Sequence, residues 1–182
     1  ITRRTLSVEE VKRIPGTFGD PVRVIQNLPG AARSPFGTGA LVIRGANPED
    51  SAVYIDGIRI PLIYHLGGYV SVINSDLIDA VNYLPGSYGV QYGRSMGGVV
   101  DVTTKEEFPE ENRVSWSTDL LDSGGLVQGR VNEDWGFAAA GRRSYIDAVL
   151  GIDGLLPNPD LVVRPRWYDY QLKLDRLDTD RD

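Results

Sequence analysis

The chain contains no cysteine and a single histidine, His65. It can therefore form neither a disulfide nor a thiol nucleophile, and it lacks the histidine–cysteine cluster that binds zinc. No run approaches the roughly 18 consecutive apolar residues that a membrane-spanning helix requires. Acidic residues outnumber basic ones by 25 to 19, and the net charge is −6. This charge argues against nucleic acid as the main partner, because phosphate binding needs a basic face.

Signals for catalysis are missing as well. Ser34 lies in Arg-Ser-Pro and not in the Gly-x-Ser-x-Gly turn of a hydrolase. The glycines of Gly37–Gly39 precede a predicted strand, whereas a dinucleotide-binding loop follows one. We therefore expect no enzyme activity, no catalytic residue, no cofactor and no metal site. Because the chain begins at Ile1 without an apolar signal segment, we expect a mature or trimmed piece.

The chain does contain 21 glycines and 11 prolines, placed singly between short apolar runs, which indicates tight turns in a compact, strand-rich fold. Short helices are predicted at three caps: the capping box Ser7–Glu10, the pair Asp20–Pro21, and Asn74–Ser75. The dipeptide Asp56-Gly57 predicts a hairpin turn. Strands are predicted at residues 40–44, 52–60, 80–84 and 99–104, with a glycine-rich loop at 85–98.

A glutamate-rich segment, residues 106–112, is predicted to be a solvated linker between two domains, 1–105 and 113–182. In the second domain apolar and polar side chains alternate strictly, as in strands with one apolar face. Predicted strands are 113–121, 125–132, 135–145 and 166–177, with turns at 122–124 and 133–134 and a long loop at 146–165. Aromatic residues stand near the strand ends, a placement that suits the interfacial girdles of an outer-membrane barrel: Trp135, Tyr145, Trp167 and Tyr168. Alternation alone fits both an outer-membrane barrel and a soluble antiparallel sheet.

Four motifs follow one another in the first domain. Leu28–Gly30 ends the second predicted helix, and Leu41–Gly45 is a hydrophobic strand closed by Arg-Gly. Val53–Ile58 reads V-Y-I-D-G-I, and Gly97–Lys105 reads G-G-V-V-D-V-T-T-K. In this order they resemble the plug domain of TonB-dependent outer-membrane receptors, and the alternating strands resemble the first barrel strands. The family often has Arg-Gly-Pro where this chain has Leu84–Gly86, so one basic residue is absent.

The resemblance implies an α+β plug domain with a small mixed β-sheet and short helices, followed by antiparallel strands of an incomplete transmembrane β-barrel. It implies the outer membrane of a Gram-negative bacterium, where such a receptor binds a small ligand and imports it by energy-coupled plug movement. The implied partners are TonB, through a segment upstream of Ile1, the remainder of the barrel and outer-membrane lipid. The ligand stays open between iron chelates, cobalamin, sugars and peptides.

The resemblance also implies two sets of site residues. The outer apices of the plug, residues 33–36, 46–51 and 61–69, are expected to face the ligand. Their candidate ligand-binding residues are Arg33, Phe36, Asn47, Glu49, Asp50, Tyr64, His65 and Tyr69. This mixture of aromatic and hydrogen-bonding groups suits a small polar ligand. Arg44, in the motif Leu41–Gly45, and Arg94, which ends the plug segment Tyr92-Gly93-Arg94, are expected to contact carboxylates of the barrel wall.

Two other functions stay open at this stage. A plug fold can act as a signalling or protein-binding module without transport, and a further folded domain ahead of the plug would favour that function. A soluble carbohydrate-binding β-protein would keep the alternation of residues 113–182 but make the plug motifs coincidental. In that case the apolar faces of the strands would be buried within a water-soluble unit.

Overall fold

The computed structural model describes residues 3–7, 10, 14, 20–33, 41–65, 70–150 and 166–177. The chain forms two compact units, residues 1–105 and 106–182, and each unit has its own main sheet. Among the described residues, no helix combines the length and the apolar character that crossing a membrane demands.

The described part of the first unit consists mainly of short strands. In chain order they are β1 (Arg4–Ser7), β2 (Ala31–Arg33), β3 (Leu41–Ile43), β4 (Ala52–Ile55), β5 (Ile58–Ile60), β6 (Tyr64–His65), β7 (Val70–Ser71), β8 (Ile78–Leu84) and β9 (Val99–Thr104). Five of them form a mixed sheet in the order β1-β8-β9-β4-β5, in which only β4 and β9 run parallel. The pairs β2–β3 and β6–β7 are separate antiparallel ladders. Strand β1 was not predicted from the sequence.

Two predicted helix starts are capped as expected, but the helices are 3₁₀ and not α-helical. The Asp20 carboxylate accepts a backbone N–H bond of 2.9 Å at the start of the helix Pro21–Asn27. The Asn74 side chain caps the single turn Ser75–Leu77 in the same way. A further 3₁₀ turn covers Pro48–Asp50. Short 3₁₀ pieces are common as connectors, and the seven-residue Pro21–Asn27 is longer than most of them.

The reciprocal bonds of the predicted capping box are present between Ser7 and Glu10. Ser7 Oγ accepts from the Glu10 N–H at 3.4 Å, and Glu10 Oε2 accepts from the Ser7 N–H at 3.2 Å. Most of the helix predicted to follow lies outside the described residues. Because Ser7 also ends β1, the box fixes the direction of the chain where this strand stops.

One apolar cluster holds the first unit together. Its fully buried members come from β3, β6, β8, β9 and the first 3₁₀ helix, and they include Val22, Ile25, Ile43, Tyr64, Ile78, Val81, Val100 and Val102. Burying one side chain of this size contributes about 1.5–3 kcal/mol relative to leaving it exposed. The adjacent strands β8 and β9 therefore form the stable centre of the sheet.

The hairpin between β4 and β5 turns at Asp56-Gly57, as predicted. Both residues have a positive φ, 48° and 79°, as in the type I′ turn that Asp-Gly favours, and Ile55 pairs with Ile58 across it. The Asp56 carboxylate also accepts bonds from the N–H and the hydroxyl of Thr104 in β9, at 2.8 and 2.5 Å. One residue therefore fixes the turn and joins the hairpin to the centre of the sheet.

Replacing Asp56 by alanine should accelerate hydrogen exchange of the Thr104 amide about 100-fold in the full-length protein. The change removes the acceptor of two buried groups and places alanine in a left-handed conformation, at a combined cost of about 3 kcal/mol. Asp56→Asn is the control, because it keeps an acceptor oxygen and tolerates the positive φ. Unchanged exchange in Asp56→Ala would show that the carboxylate does not hold β9.

The second unit is an antiparallel meander. Its described strands pair in chain order and are β10 (Arg113–Thr118), β11 (Asp122–Arg130), β12 (Trp135–Ser144) and β13 (Tyr168–Arg176). All four predicted strands are therefore present. A short helix, α1 (Ile146–Leu150), begins the loop predicted at 146–165, and residues 151–165 lie outside the described part of the chain.

The turn predicted at 122–124 is wrong. Asp122 already belongs to β11, and the chain reverses just before it, where Asp119 Oδ1 accepts two backbone N–H bonds. The glycine that suggested a turn, Gly124, is a strand residue. A methyl group on it would stand 2.8 Å from the Gly141 carbonyl oxygen on the neighbouring strand, and the adjacent Gly125 makes room for the ring of Trp116. Both glycines therefore allow close approach and do not mark a reversal.

Residues 105–112 have no regular structure, but they are not a free linker. Phe108 is 6% exposed and lies directly on Gly136, where there is no room for a methyl group. Glu110 forms an ion pair of 3.6 Å with Arg130. Part of the predicted linker therefore packs onto the second unit.

The two faces of the second sheet differ as the alternation predicts. One face, which we call the apolar face, carries large exposed side chains, among them Trp116 (74% exposed), Tyr170 (79%) and Leu172 (83%). The opposite, polar face carries small and polar residues, of which Ala138 and Ser144 are almost fully buried. This is the reverse of a water-soluble sheet. An exposed apolar surface of this kind needs an apolar surrounding.

Aromatic residues at the strand ends agree in part with the predicted interfacial positions. Trp135 and Tyr168 lie on the apolar face at opposite ends of the paired strands β12 and β13. Trp167, in contrast, is 7% exposed, which makes its predicted interfacial position wrong. Tyr145, which follows β12 at the start of the loop, is half-buried. The alternation therefore orients residues inside strands better than residues at their ends.

Candidate functional site

A shallow cleft of about 190 Å³ in the first unit lies between two of the segments predicted to face a ligand. One wall is formed by Pro48, Glu49 and Ser51, the other by residues 59–63, and Leu41 and Val53 contribute from β3 and β4. Two charged side chains line the cleft, Glu49 and Arg59, and both are exposed. The cleft therefore offers an apolar surface between an acidic and a basic group, which suits a small ligand of mixed polarity.

Other predicted ligand residues lie apart from this cleft. Asn47 is exposed and precedes the 3₁₀ turn without capping it. Asp50 has a structural role, because its backbone carbonyl accepts from the N–H groups of Met96–Gly97. His65 is half-buried and pairs with Val70 in the ladder of β6 and β7. Among the described residues, no three His, Asp or Glu side chains gather closely enough to hold a metal ion.

Tyr64 is a core residue, so the expectation that it faces a ligand is wrong. It is 1% exposed, and its hydroxyl donates to the Val22 carbonyl at 2.7 Å. A tyrosine whose hydroxyl finds a partner suits a core as well as a binding surface, and the sequence does not distinguish the two. Phe36, Tyr69 and the side chain of Arg33 lie outside the described residues.

Arg44 follows β3 in a strained conformation. Its φ of 53° is in the left-handed region, and its N–H donates to the Gly30 carbonyl at 2.6 Å. Its exposed guanidinium lies against Gly86, where an added methyl group would stand 2.8 Å from Nη1. Burial raises the pKa of the nearby Tyr83 hydroxyl, and the charge of Arg44 opposes that rise. Arg44 is therefore held across the start of the loop 85–98.

The loop 85–98 also carries Arg94 and is fastened by tyrosines. Tyr92 donates from its hydroxyl to the Asp101 carboxylate at 2.8 Å, and Tyr88 donates to a carbonyl within the loop. Burial and the bond to Asp101 raise the pKa of Tyr92, so the hydroxyl remains a donor well above neutral pH. Arg94 is exposed and has a φ of 60°. Arg94 is therefore exposed on a loop that the hydrogen bonds of Tyr88 and Tyr92 hold in place.

Strand β1 lies at one edge of the five-stranded sheet and is bound to β8 alone. Buried Asn82 reinforces this pairing, because its Oδ1 accepts from Arg3 Nε and Nη2 at 3.1 and 2.9 Å and from Thr5 Oγ1 at 2.8 Å. An edge strand has one neighbour, so it can leave the sheet without breaking any other ladder.

The polar face of the second sheet carries a cluster of three charges. Arg142 donates from Nη2 to Asp169 at 2.6 Å, and its Nε lies 4.0 Å from Asp122. The two carboxylates are almost fully buried, and the register places all three residues on the same face. A guanidinium shared by two carboxylates limits the cost of burying them.

A protein-family model described as the TonB-dependent Receptor Plug Domain matches residues 2–99, more than half of the chain. The chain belongs to this family. The first unit is therefore a plug domain, and the resemblance of its four motifs is confirmed. TonB-dependent receptors are receptors and transporters of the Gram-negative outer membrane, so the predicted localisation is confirmed with the family.

Solved structures with the same fold include three receptors. The chain is similar to the siderophore receptor PirA from Pseudomonas aeruginosa, with 19% identity and a TM-score of 0.52 over 78% of this chain and 28% of that one. It is also similar to the ferric yersiniabactin uptake receptor FyuA from Yersinia pestis, with 18% identity and a TM-score of 0.54 over 79% of this chain and 24% of that one. Its identity to the outer membrane transporter YddB from Escherichia coli is 16%, with a TM-score of 0.52 over 78% of this chain and 26% of that one. No curated protein sequence matches the chain.

The chain spans about a quarter of the length of these receptors. The predicted fold class is confirmed: a plug with a mixed sheet and short helices, followed by antiparallel strands of a partial barrel. The remainder of the barrel stays a predicted partner. The predicted ligand residues other than Tyr64, and the contacts of Arg44 and Arg94, stay predictions.

Three residues of the candidate sites were missed from the sequence. Arg59 follows the hairpin turn and was interpreted only as a strand residue, although its position next to Ile60 and Pro61 links it to a predicted apical segment. Asn82 gave no signal, because its role depends on a strand that was not predicted. Arg142 was placed on the polar face by alternation, but its carboxylate partners depend on the register.

Proposed function

We propose that the chain forms the plug and the first barrel strands of a receptor that binds a ligand at the cell surface and imports it by energy-coupled plug movement. The observation that carries this proposal is the edge position of β1, the first described strand of the plug. A family barrel of roughly 22 strands would leave an aqueous channel without a plug, so import requires the plug to move or open.

In this proposal TonB binds a segment upstream of β1 and pulls it towards the periplasm, drawing on the proton gradient of the inner membrane. The force reaches β1 first. It acts on the short ladder with β8 and on the bonds from Arg3 and Thr5 to Asn82. Each such bond contributes about 0.5–1.5 kcal/mol net, so β1 separates more easily than the central strands.

Backbone strain gives a physical reason for the proposed contacts of Arg44 and Arg94 with the barrel wall. Both residues hold a left-handed backbone conformation, which costs roughly 1–2 kcal/mol for a side chain that is not glycine. Strain of this kind persists where the surroundings or a function require the side chain. A charged contact with the wall would offset that cost, and both guanidiniums are exposed on the plug.

For the ligand we propose a ferric chelate. Two of the structural relatives are described as a siderophore receptor and a ferric yersiniabactin uptake receptor, which motivates the choice. The cleft supports it by its chemistry, since Glu49 and Arg59 stand on its two walls. A guanidinium suits the carboxylates or phenolates of a chelate, and the apolar lining suits its backbone.

Removing both charges from the cleft should weaken ferric-chelate binding about tenfold or more while the full-length receptor still reaches the outer membrane. The variant is Glu49→Ala combined with Arg59→Ala. Asp79→Ala, which removes an exposed charge outside the cleft, is the control. Binding is measured on ice with radioactive iron loaded on hydroxamate, catecholate and carboxylate chelates, and uptake is measured after warming.

The same assay separates the functions. Uptake that stops in cells lacking TonB, with surface binding intact, supports energy-coupled import. Binding without uptake in either strain contradicts import and favours the signalling module. Full binding by the double variant would show that the cleft is not the ligand-binding site. Uptake of cobalamin in place of every iron chelate would show that the ligand is not a ferric chelate.

A further inference from the structure

Two arginines share one tyrosine ring on the second unit. The guanidinium carbon of Arg143 lies 5.6 Å from the centroid of the Tyr168 ring, and that of Arg166 lies 5.7 Å from it. Both distances are within the range of a cation–π contact. All three side chains are exposed. Among the described residues, no carboxylate forms an ion pair with either arginine.

The register places this group at the border of the apolar face. Thr118, Ser123, Arg143 and Tyr168 stand level on four neighbouring strands. The hydroxyls of Thr118 and Ser123 lie 2.7 Å apart. The next level along the strands is apolar and aromatic, with Trp116 and Tyr170 at its two ends. The polar level therefore begins where the lipid-facing band ends, as in the headgroup zone of a bilayer.

The connections between strands indicate which leaflet this border faces. At the opposite end, β11 and β12 are joined by the short turn 131–134. At the end of Arg143, β12 and β13 are joined by residues 145–167. Outer-membrane barrels have short periplasmic turns and longer external loops, so Arg143 and Arg166 lie at the level of the outer leaflet.

We propose that Arg143 and Arg166, held on Tyr168, bind a phosphate group of an outer-leaflet glycolipid of the lipid A type. Two guanidiniums with no carboxylate partner in the described part of the chain need an anion when a membrane surrounds them. The planar fork of arginine matches the oxygens of a phosphate, and stacking on the ring fixes both guanidiniums beforehand. The polar side chains of Thr118 and Ser123, which are hydrogen-bonded to each other, lie on the same level. The outer leaflet of a Gram-negative outer membrane presents its phosphates on lipid A.

The test uses the full-length receptor in detergent and compares Arg143→Gln combined with Arg166→Gln against the wild type. The control is Arg176→Gln, which changes an arginine on the apolar face at the opposite end of the strands. Binding of bisphosphorylated lipid A, dephosphorylated lipid A and phosphatidylglycerol is measured by native mass spectrometry. We expect the double variant to lose at least about tenfold in affinity for bisphosphorylated lipid A, and the control to lose nothing.

A second pair of variants tests whether the Tyr168 ring positions the two guanidiniums. Tyr168→Phe keeps the ring and should keep binding, whereas Tyr168→Ala releases both guanidiniums and should weaken it. Folding of every variant is checked by its heat-dependent migration on gels. Equal binding of dephosphorylated lipid A, or unchanged binding by the double variant, would overturn the phosphate site. Equal binding of phosphatidylglycerol would overturn the assignment to the outer-leaflet glycolipid.

Discussion

Arginine in place of Leu172 should lower the free energy of unfolding of the full-length receptor in a phospholipid bilayer by about 2–4 kcal/mol. Leu172 is 83% exposed on the apolar face and stands level with Ala139, which lies halfway along β12 between Trp135 and Arg143. The substitution therefore puts a charge near the middle of the hydrocarbon layer, where it must snorkel or thin the bilayer. The measurement is equilibrium unfolding in urea with the receptor inserted in vesicles.

The control places the same residue at the border of the same face. Thr118 stands level with Arg143, so Thr118→Arg should cost only about 0–1 kcal/mol. The comparison also separates the membrane strand from a soluble sheet, because in water an arginine on an exposed face would be neutral or would improve solubility. Equal costs for the two variants, or no cost for Leu172→Arg, would mean that the apolar face does not meet lipid.

Features fixed by local chemistry were predictable from the sequence. The Asp56-Gly57 turn needs only two residues that accept a positive φ, and the structure has them there. The faces of β10 to β13 follow from the period of two, which does not depend on distant partners. The caps at Asp20 and Asn74 are equally local. The caps do not determine the helix type, because both helices that they start are 3₁₀.

Features fixed by distant partners were not predictable. Strand β1 exists because β8 offers it a ladder and Asn82 offers it an acceptor, and neither is visible in the sequence around Arg4. Tyr64 is of a residue type that suits a ligand-binding surface, but its hydroxyl donates to the Val22 carbonyl inside the core. Gly124 suggested a turn, because a glycine that makes room for a neighbouring strand has the same local signature.

The cleft illustrates the same division. Glu49 was selected from its position between motifs, and the structure places it on the wall of a cleft. Its companion Arg59 was not selected, although the predicted hairpin pairs Val53 with Ile60 and so returns Arg59 towards residues 48–51. The sequence does not show the approach of Leu41, because this residue lies on a separate strand, β3.

Locking β1 to β8 with a disulfide should reduce ligand uptake at least about tenfold. TonB is proposed to pull β1 first, and the bond would prevent β1 from separating from β8. Ser7 and Ala80 are register partners on these strands, and directly opposite residues in an antiparallel pair stand close enough for a disulfide. The variant is Ser7→Cys with Ala80→Cys. The chain has no cysteine of its own, so no other thiol in it competes for the bond. Uptake is measured in cells before and after treatment with a membrane-permeant reductant.

The matched control locks the opposite edge of the same sheet. Ile55 and Ile58 are register partners on β4 and β5, and a disulfide there leaves β1 free to move. We expect Ile55→Cys with Ile58→Cys to import ligand at the normal rate, whereas the β1 lock imports only after reduction. Ligand binding at the surface should be equal in both, because neither pair lines the cleft. Normal uptake by the oxidised β1 lock would show that β1 stays in the sheet during transport, and equal loss in both variants would show that the whole sheet must come apart.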